Sequence, residues 1–387
     1  MLPEAAPGAA ELRRDPEQAL LAASALGELV RVRAGRRRLL LVSGPEGARE
    51  TLVERAGELA KPRSQAIPLG RKRAALPAAR ISPAELRRAL SKGMGADRAE
   101  ETARELATGV AEAAAGWQDG DSIRLVPWLR PLVARAVVRG AFASDLTATE
   151  LDRLARIVAW AGGTPRVLRS VPTRHGLQRP FLLAQLSLVV RSLLANADRS
   201  RPSELSALEG LPRREQQALA GELLLGAAGP LVQESGWALY RFGTEPEAAD
   251  REAFVREVTR LHPTNPLLVR VATADTSVGG EPVQAGELVV VHVGALHRDP
   301  GVFPEPERFL PERWLDGRTA EHRFSYAAFG IGDRRCLGET IALRSLVDLL
   351  ETVGREWRLS FGEVDVAARG RRQLSDDVRV VVSRAGA

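Results

Sequence analysis

The spacing of hydrophobic residues predicts a chain that is mostly helical. From about residue 83 to residue 262, apolar side chains recur every three to four positions, which is the period of an amphipathic helix. Stretches rich in Gly, Pro and short polar residues interrupt this pattern, and such stretches end helices. They are GWQDGDS, GGTPRV, ADRSRPSE and LEGLPRR. We therefore expect consecutive helices over the middle of the chain.

The first sixty residues combine helices with a hairpin. Residues 14–28 have the helical period with an aspartate near the start, which is a common helix beginning. LVRVRAG and RRLLLVSG alternate apolar and polar residues, which predicts two strands joined at a Gly turn. PEGARETLVERAGELA should again be helical, with Pro in the first turn and acidic residues early.

The last third of the chain contains most of the expected β structure. Residues 263–316 are rich in Pro and Gly and carry two β-branched runs, LLVRVAT and ELVVVHV. ETIALRSLVDLLETVGREW predicts a long amphipathic helix, and WRLSFGEV and VRVVVSRA predict two closing strands. Nothing resembles an interdomain linker, so we expect one domain over residues 1–387, mainly α with a minor β region.

Composition limits the class of protein. The 387 residues carry a net charge of +6 and a pI of about 10.2, but acidic residues lie among the basic ones throughout, which argues against a nucleic-acid partner. The basic surface would instead suit docking of an acidic protein. No run of eighteen apolar residues and no signal-peptide order occur, and the single cysteine excludes an intrachain disulfide. We expect a cytoplasmic protein that does not bind membranes.

The one cysteine lies in an unusual loop, AAFGIGDRRCLGE. Cys336 is expected to precede a helix directly, where backbone N–H groups and the helix dipole favour a thiolate. Arg334 and Arg335 add positive potential, and Gly332 and Gly338 would let the backbone approach a flat ligand closely. A zinc or iron–sulfur site would need further cysteines or clustered histidines. The alternative is a small buried hydrophobic residue, a role that has no use for the surrounding glycines and arginines.

Three motifs resemble the cytochromes P-450 in their order and spacing. FGIGDRRCLG is similar to the haem-binding signature of that family, Phe-x-x-Gly-x-Arg/His-x-Cys-x-Gly. REVTRLHPTNPLLVR resembles the family's K-helix, with Glu257 and Arg260 three residues apart on one helix face. HRDPGVFPEPERFLPERW resembles the meander region, whose arginine, here Arg313, joins that pair in a buried triad in the family. The resemblance covers nearly the whole chain, including the N-terminal helix and hairpin.

The resemblance implies the family's mainly α fold, a triangular prism of helices around noncovalently bound haem b (iron protoporphyrin IX). Cys336 would be the axial iron ligand, and its electron donation favours cleavage of the O–O bond. The propionates would contact Arg270, Arg334 and a basic residue of the C-helix, where IPLGRKRAALPAAR places Lys72 at the family's arginine position. Further residues at matching positions are assigned to haem binding in the same way: Arg71, Arg73, Ala227, Phe329, Gly332 and Gly338.

The segment GELLLGAAGPLVQESGWALYRF matches the family's I-helix but departs from it at two positions. The family commonly has an acid followed by threonine there, and this pair delivers protons during oxygen activation. Here Gly229 and Pro230 occupy those positions, and the proline should kink the helix. Gln233 and Glu234 follow on the same face and could act as a displaced proton relay. Three reactions stay open: monooxygenation with another relay, direct use of peroxide, and oxidative coupling of substrate radicals.

The resemblance also carries expectations about partners. The region before the C-helix is very short, so the family's lid over the substrate site would be mostly missing unless another loop replaces it. This implies a bulky small-molecule or peptide substrate, either free or carrier-bound. The sequence shows no flavin or ferredoxin domain, so electrons would come from a separate ferredoxin and ferredoxin reductase docking near Arg334 and Arg335.

We expect a tailoring enzyme of specialised metabolism, such as antibiotic biosynthesis, that hydroxylates or couples its substrate. A haem-binding protein that has lost oxygen activation is the alternative from another class.

Overall fold

The computed structural model describes residues 2–7, 11, 15–34, 37–62, 83–162, 179–245, 250–315, 324–362, 364 and 373–386. The α-helices, labelled in chain order, are α1 Pro16–Ser24, α2 Pro45–Arg49, α3 Pro83–Gly93, α4 Ala96–Ala114, α5 Leu125–Ala136, α6 Ala148–Gly162, α7 Arg179–Ala195, α8 Arg213–Thr244, α9 Arg251–Leu261, α10 Val293–Leu296 and α11 Glu339–Glu356. Short π-helical turns follow α2 and α5 directly, at Glu50–Glu54 and Val137–Ala141. Single 3-10 turns lie at Ser206–Leu208, Pro311–Trp314 and Gly332–Arg334.

The strands are short. In chain order they are β1 Glu4–Ala5, β2 Leu29–Ala34, β3 Arg37–Val42, β4 Leu59–Ala60, β5 Ser122–Arg124, β6 Leu267–Ala272, β7 Thr276–Val278, β8 Glu281–Val283, β9 Leu288–His292, β10 Trp357–Phe361 and β11 Arg379–Arg384. They form a six-stranded sheet ordered β1-β2-β3-β9-β6-β4, a three-stranded sheet ordered β10-β11-β5, and the hairpin β7-β8. A mostly helical chain with small sheets is the architecture that the sequence predicted.

Contacts within the chain divide it into two compact units. The first contains residues 1–65, 248–336 and 365–373, and the second contains residues 66–247, 337–364 and 374–387. The single domain expected from the sequence stays a prediction.

In the first unit, the six-stranded sheet is covered on both faces because successive side chains of a strand point to opposite sides. Leu41 of β3 lies on one face and packs with Leu20 of α1. Its neighbour Leu40 lies on the other face, in a cluster that includes Ala327 and Ile331 of the cysteine-containing loop. The sheet therefore provides a rigid support for that loop.

In the second unit, helices predominate, and α4 packs against α11. The π-helical turn after α5 approaches α4 so closely that a Cβ on Gly140 would lie 2.3 Å from the Cα of Thr102. The loop before β11 is tied to two helices, since Arg130 of α5 forms a bidentate ion pair with Asp376 and Gln233 of α8 accepts a hydrogen bond from the Leu374 N–H.

Two segments differ from the sequence-based expectation. The helix expected over PEGARETLVERAGELA ends at Arg49, continues as the π-helical turn Glu50–Glu54, and is followed by strand β4. The strand Ser122–Arg124 lies in a region expected to be helical, because it pairs with β11 from the other end of the chain. Strands β4 and β5 form by pairing with the distant strands β6 and β11, which overrides local periodicity.

Candidate active site: the cysteine loop and its supports

The cysteine loop, residues 327–336, is held by its own backbone hydrogen bonds. The Cys336 N–H donates to the Phe329 carbonyl at 2.7 Å, and the Gly330 N–H donates to the Ala327 carbonyl at 2.9 Å. Gly330 and Gly332 have φ of +75° and +71°, which side chains rarely tolerate. Phe329 is buried, as are Ala327 and Ile331. The loop is thus a fixed turn rather than a flexible connection.

Cys336 itself is exposed. Because cysteine is among the most frequently buried residue types, this position is inconsistent with the alternative of a small core hydrophobe. Helix α11 begins three residues later, at Glu339, with Gly338 as its N-cap. The prediction that a helix follows the cysteine is therefore correct to within a few residues.

The loop is fastened to the segment that follows α2. Arg334 donates to the carbonyls of Leu59 and Ala56 at 2.9 and 3.1 Å. Gly332 lies against the same segment, where a Cβ would be 2.7 Å from the Leu52 carbonyl oxygen. The sequence suggested that Gly332 allows close approach of a ligand, whereas its closest approach in the structure is to the protein backbone.

Arg334 also faces a second buried arginine. Arg270 of β6 is 5% exposed and donates to the Val269 carbonyl at 3.0 Å. Burial, and in second place the positive charge of Arg334, lower the pKa of Arg270 to about 10, so the Arg270 guanidinium is still charged at neutral pH. Among the described residues, no carboxylate pairs with either group. A buried arginine and a half-buried arginine beside it, without an acid, form a site suited to an anion.

Glu257, which is fully buried, is the centre of an ion cluster. Arg260 of the same helix, α9, donates to both carboxylate oxygens at 2.8 Å, and Arg313 donates at 3.1 Å. The Trp314 indole N–H and the Leu310 backbone N–H each donate at 3.0 Å. The triad expected from the sequence is present, with two further donors that the sequence did not suggest. Complete hydrogen bonding is what makes a buried carboxylate tolerable.

His297 connects this cluster to the cysteine loop. Its Nδ1 lies 2.7 Å from the Arg260 carbonyl oxygen, and its Nε2 accepts from the Ala327 N–H at 2.9 Å. The ring of Tyr326 stacks on it at 5.4 Å. Complete burial, chiefly, lowers the pKa of His297 to about 3. This histidine was not singled out from the sequence, although it stands in the HRDP stretch of the meander.

Helix α8 carries the positions at which the I-helix pattern is broken. The helix continues through Pro230, from Arg213 to Thr244. A Cβ on Gly229 would meet no described atom within 4 Å, so there is open space beside the helix backbone at this position among the described residues. Glu234 is buried. Gln233 accepts from the Leu374 N–H at 3.1 Å, so it holds the loop before β11 and is not available as a simple relay.

Comparison with known proteins identifies the family. A family model described as cytochrome P450 matches residues 251–369, which include α9, the meander and the cysteine loop. The chain is 26% identical over 404 residues to cyclooctat-9-en-7-ol 5-monooxygenase of Streptomyces melanosporofaciens, covering 90% of this chain and 86% of the relative. The matching family model and the named relatives are all cytochromes P450. This likeness supports an oxidoreductase of the P450 type.

Other relatives match a smaller share of this chain and of their own length. It is 34% identical to cyclooctatin synthase of Streptomyces melanosporofaciens over 120 residues, which are 31% of this chain and 26% of the relative. It is 39% identical to mitochondrial cytochrome P450 11B1 of Sus scrofa over 128 residues, 32% of this chain and 25% of the relative. The chain thus aligns with only about a quarter of the length of these relatives.

Solved P450 structures share the fold over the whole chain. Cytochrome P450EX alpha with myristic acid has a TM-score of 0.80 at 15% identity and covers 100% of both chains. P450 OxyD, described as involved in the biosynthesis of vancomycin-type antibiotics, has a TM-score of 0.74 at 18% identity, covering 98% of this chain and 99% of OxyD.

The residues of the P450 site fit haem. An exposed thiol on a rigid turn suits an axial iron ligand, and the acid-free pair Arg270 and Arg334 suits propionate carboxylates. No cluster of three or more His, Cys, Asp or Glu side chains in the described part of the chain could hold a metal ion instead.

Other expectations fall outside what the structure describes. The expected missing lid and three residues of the expected C-helix lie outside the described residues; the three are Arg71, Lys72 and Arg73. Among the helices that are described, none combines the length and apolar character needed to cross a bilayer.

Proposed function

We propose that this P450 is a monooxygenase of specialised metabolism that hydroxylates an apolar organic molecule, using haem b, dioxygen and electrons from a ferredoxin system. The observation that carries the proposal is the alignment over most of both chains with a relative named as a monooxygenase of cyclooctat-9-en-7-ol. The similarity to a protein named cyclooctatin synthase supports the same class of substrate. The fold likeness to OxyD is compatible with such a role, but at 18% identity it supports the fold alone.

The protein would hold haem through three side chains. Cys336 would ligate the iron as a thiolate, and Arg270 and Arg334 would receive the propionates. Arg334 already donates to two backbone carbonyls, so its guanidinium is oriented before any ligand binds. Arg270 gains most from an anion, because its present surroundings oppose its charge. Haem ligated by thiolate supplies the oxidising chemistry, and the protein supplies position and charge.

The reaction requires reactants that the chain does not contain. Insertion of one oxygen atom consumes a C–H substrate, O2, two electrons and two protons, and releases the alcohol and water. The electrons would come from a separate ferredoxin and its reductase, for which the positively charged chain is a suitable partner.

Proton delivery must differ from the family's usual arrangement. Gly229 and Pro230 provide neither an acid nor a hydroxyl at the acid–threonine positions, and Gln233 is engaged with the Leu374 backbone. Water or the substrate would then bring the protons, with buried Glu234 as the remaining candidate side chain on α8. Peroxide as the oxidant is the second candidate function, favoured by the same two residues, since peroxide brings its own protons.

Mass analysis of products tests both candidates. The purified holoenzyme would be incubated with a panel of cyclic terpene alcohols, once with a surrogate ferredoxin, reductase, NADPH and 18O2, and once with hydrogen peroxide alone. We expect incorporation of one 18O atom in the first arm. Product only in the peroxide arm would replace monooxygenation by peroxygenation, and loss of two hydrogens without oxygen gain would indicate coupling or desaturation. Substrate-induced spectral shifts without product in either arm would support a haem protein that has lost turnover.

A further inference from the structure

His297 lies where α9, the meander and the cysteine loop meet. Its side chain is 0% exposed. The two residues to which it bonds, Arg260 and Ala327, are 37 and 30 positions away in the chain. The Tyr326 ring stacks against one face with an interplanar angle of 19°, and Phe303 meets the imidazole edge-on at 6.3 Å. The ring is therefore clamped in one orientation.

The hydrogen bonds also define the tautomer. The Ala327 backbone N–H can only donate, so Nε2 must be the unprotonated nitrogen that accepts. The proton is then on Nδ1, which donates to the Arg260 carbonyl. Protonation of Nε2 would oppose two N–H groups, and burial with nearby Arg260 and Arg298 disfavours it further.

The bond to Ala327 begins a short series of hydrogen bonds that ends at the backbone N–H of Cys336. Ala327 accepts from the Gly330 N–H through its carbonyl, and Phe329 accepts from the Cys336 N–H. A displacement of the Ala327 peptide would therefore be transmitted to the turn that carries the cysteine.

We propose that His297 is a positioning residue that bridges α9 and the cysteine loop and thereby holds Cys336 in place as an iron ligand. The inference rests on the proposed ligand role of Cys336. The contact that positions Cys336 is the one made by Nε2, because this nitrogen bonds to the cysteine loop. Nδ1 bonds to α9 and so holds the histidine itself in place.

Two amide substitutions separate the two contacts. A glutamine side chain reaches as far as Nε2, so His297→Gln can still accept from the Ala327 N–H. An asparagine side chain reaches only as far as Nδ1, so His297→Asn can still donate to the Arg260 carbonyl but leaves the Ala327 N–H without an acceptor. Tyr326→Phe is the matched control, because it keeps the ring on His297 and removes the hydroxyl that lies 2.6 Å from the Thr259 hydroxyl.

The readouts are the red-shifted Soret band of the reduced carbon monoxide complex and the rate at which iodoacetamide alkylates Cys336 in the oxidised holoprotein. Cys336 is the one cysteine of the chain, so the labelling reports a single site. We expect the Gln and Tyr326→Phe variants to keep the band. We expect the Asn variant to lose it and to be alkylated about tenfold faster, since a buried donor would lose its acceptor.

The comparison between variants decides the proposal. Identical spectra and labelling rates for the Gln and Asn variants, or better ligation in the Asn variant, would show that His297 does not position the loop through Nε2. An Asn variant that fails to fold beside a folded Gln variant would agree with the proposal, whereas an unfolded Gln variant would contradict it. Absence of the band in the wild-type protein would instead contradict the proposed function, and the ranking of alkylation rates would still test the bridge.

Discussion

At the scale of residues, Glu257 and Arg270 are two buried charged side chains of the site, and their hydrogen-bond partners differ sharply. Glu257 receives five hydrogen bonds from its surroundings, so its charge is balanced within the protein. Among the described residues, the contacts found for the Arg270 guanidinium are the Val269 carbonyl and the positive charge of Arg334. Buried charge of the first kind stabilises the fold, and buried charge of the second kind indicates a place for a ligand.

Arg270 should therefore contribute to haem retention. We expect Arg270→Gln to lose haem to apomyoglobin about tenfold faster than the wild type, because one charge-assisted hydrogen bond to a carboxylate is lost. Arg31→Gln is the control, since Arg31 belongs to the same sheet but already pairs with Glu287. Equal haem loss from both variants would exclude a specific role for Arg270.

Two buried histidines should make the protein acid-sensitive. Burial, chiefly, lowers the pKa of His292 to about 4 and that of His297 to about 3, whereas in the unfolded chain both titrate near 6.5. The unfolded state then binds more protons below pH 6.5, so the free energy of unfolding should fall as the pH drops from 6.5 towards 4, and should not depend on these groups above pH 6.5. Urea unfolding of the wild type and of His297→Gln, measured between pH 4 and pH 6.5, tests this pH dependence. If the difference in free energy of unfolding between the two proteins does not vary with pH, the expected titration of His297 is contradicted.

Glu204 should act in the opposite direction. It is 2% exposed, the described residues provide no hydrogen-bond partner for its carboxyl group, and burial raises its pKa to about 8. Its ionisation is easier in the unfolded state, so its contribution to stability is complete below pH 4.5 and is lost as the pH rises through 8. We expect Glu204→Gln to match the wild type in melting temperature at pH 4.5 and to exceed it at pH 8. A constant difference at the two pH values would argue against a neutral buried acid.

At the scale of elements, the cysteine loop is placed by two supports. One face of the six-stranded sheet packs against Ala327 and Ile331, and the segment after α2 contacts Gly332 and Arg334. The second support explains why residues 50–60 abandon the α-helix. A π-helical turn and strand β4 present the carbonyls of Ala56 and Leu59 to the arginine.

Gly332→Ala should damage the loop more than a simple turn substitution would. Its φ of +71° and the 2.7 Å approach of a Cβ to the Leu52 carbonyl oxygen together require movement of the backbone. Gly286→Ala is the matched control, because its φ is +84° but no described atom lies within 4 Å of the added Cβ. We expect loss of the red-shifted carbon monoxide band in the first variant and only about 1 kcal/mol of lost stability in the second. Similar behaviour of the two variants would show that contact with residue 52 is unimportant.

At the scale of the whole molecule, the chain is strongly basic. The net charge of +6 arises from 55 basic and 49 acidic residues, so an acidic partner would experience attraction that is long in range and weak for each pair. Such attraction governs the rate of encounter more than the strength of the final complex.

Reduction by an acidic ferredoxin should therefore depend on salt. We expect the second-order rate constant for reduction of the iron to fall by about tenfold or more between roughly 0.01 and 0.5 M ionic strength, because the Debye length shortens from about 30 Å to a few ångströms. Stopped-flow measurement under anaerobic conditions gives this rate directly. A rate constant for reduction that does not change with ionic strength would contradict docking driven by opposite charges.

From the sequence, periodicity predicted most of the helices and the closing strands, and resemblance to a family predicted the Cys336 turn and the Glu257–Arg260–Arg313 cluster. These features are encoded locally, in periodicities and motifs whose members lie close together or in a spacing shared with a family. The tertiary structure decided which residues support the cysteine. His297 meets Ala327 across 30 positions, Arg334 meets Leu59 across 275, and β5 pairs with the strand Arg379–Arg384 near the end of the chain. Contacts of this kind leave no periodic signal in the sequence, because they depend on how separate elements pack and not on the order of residues within one element.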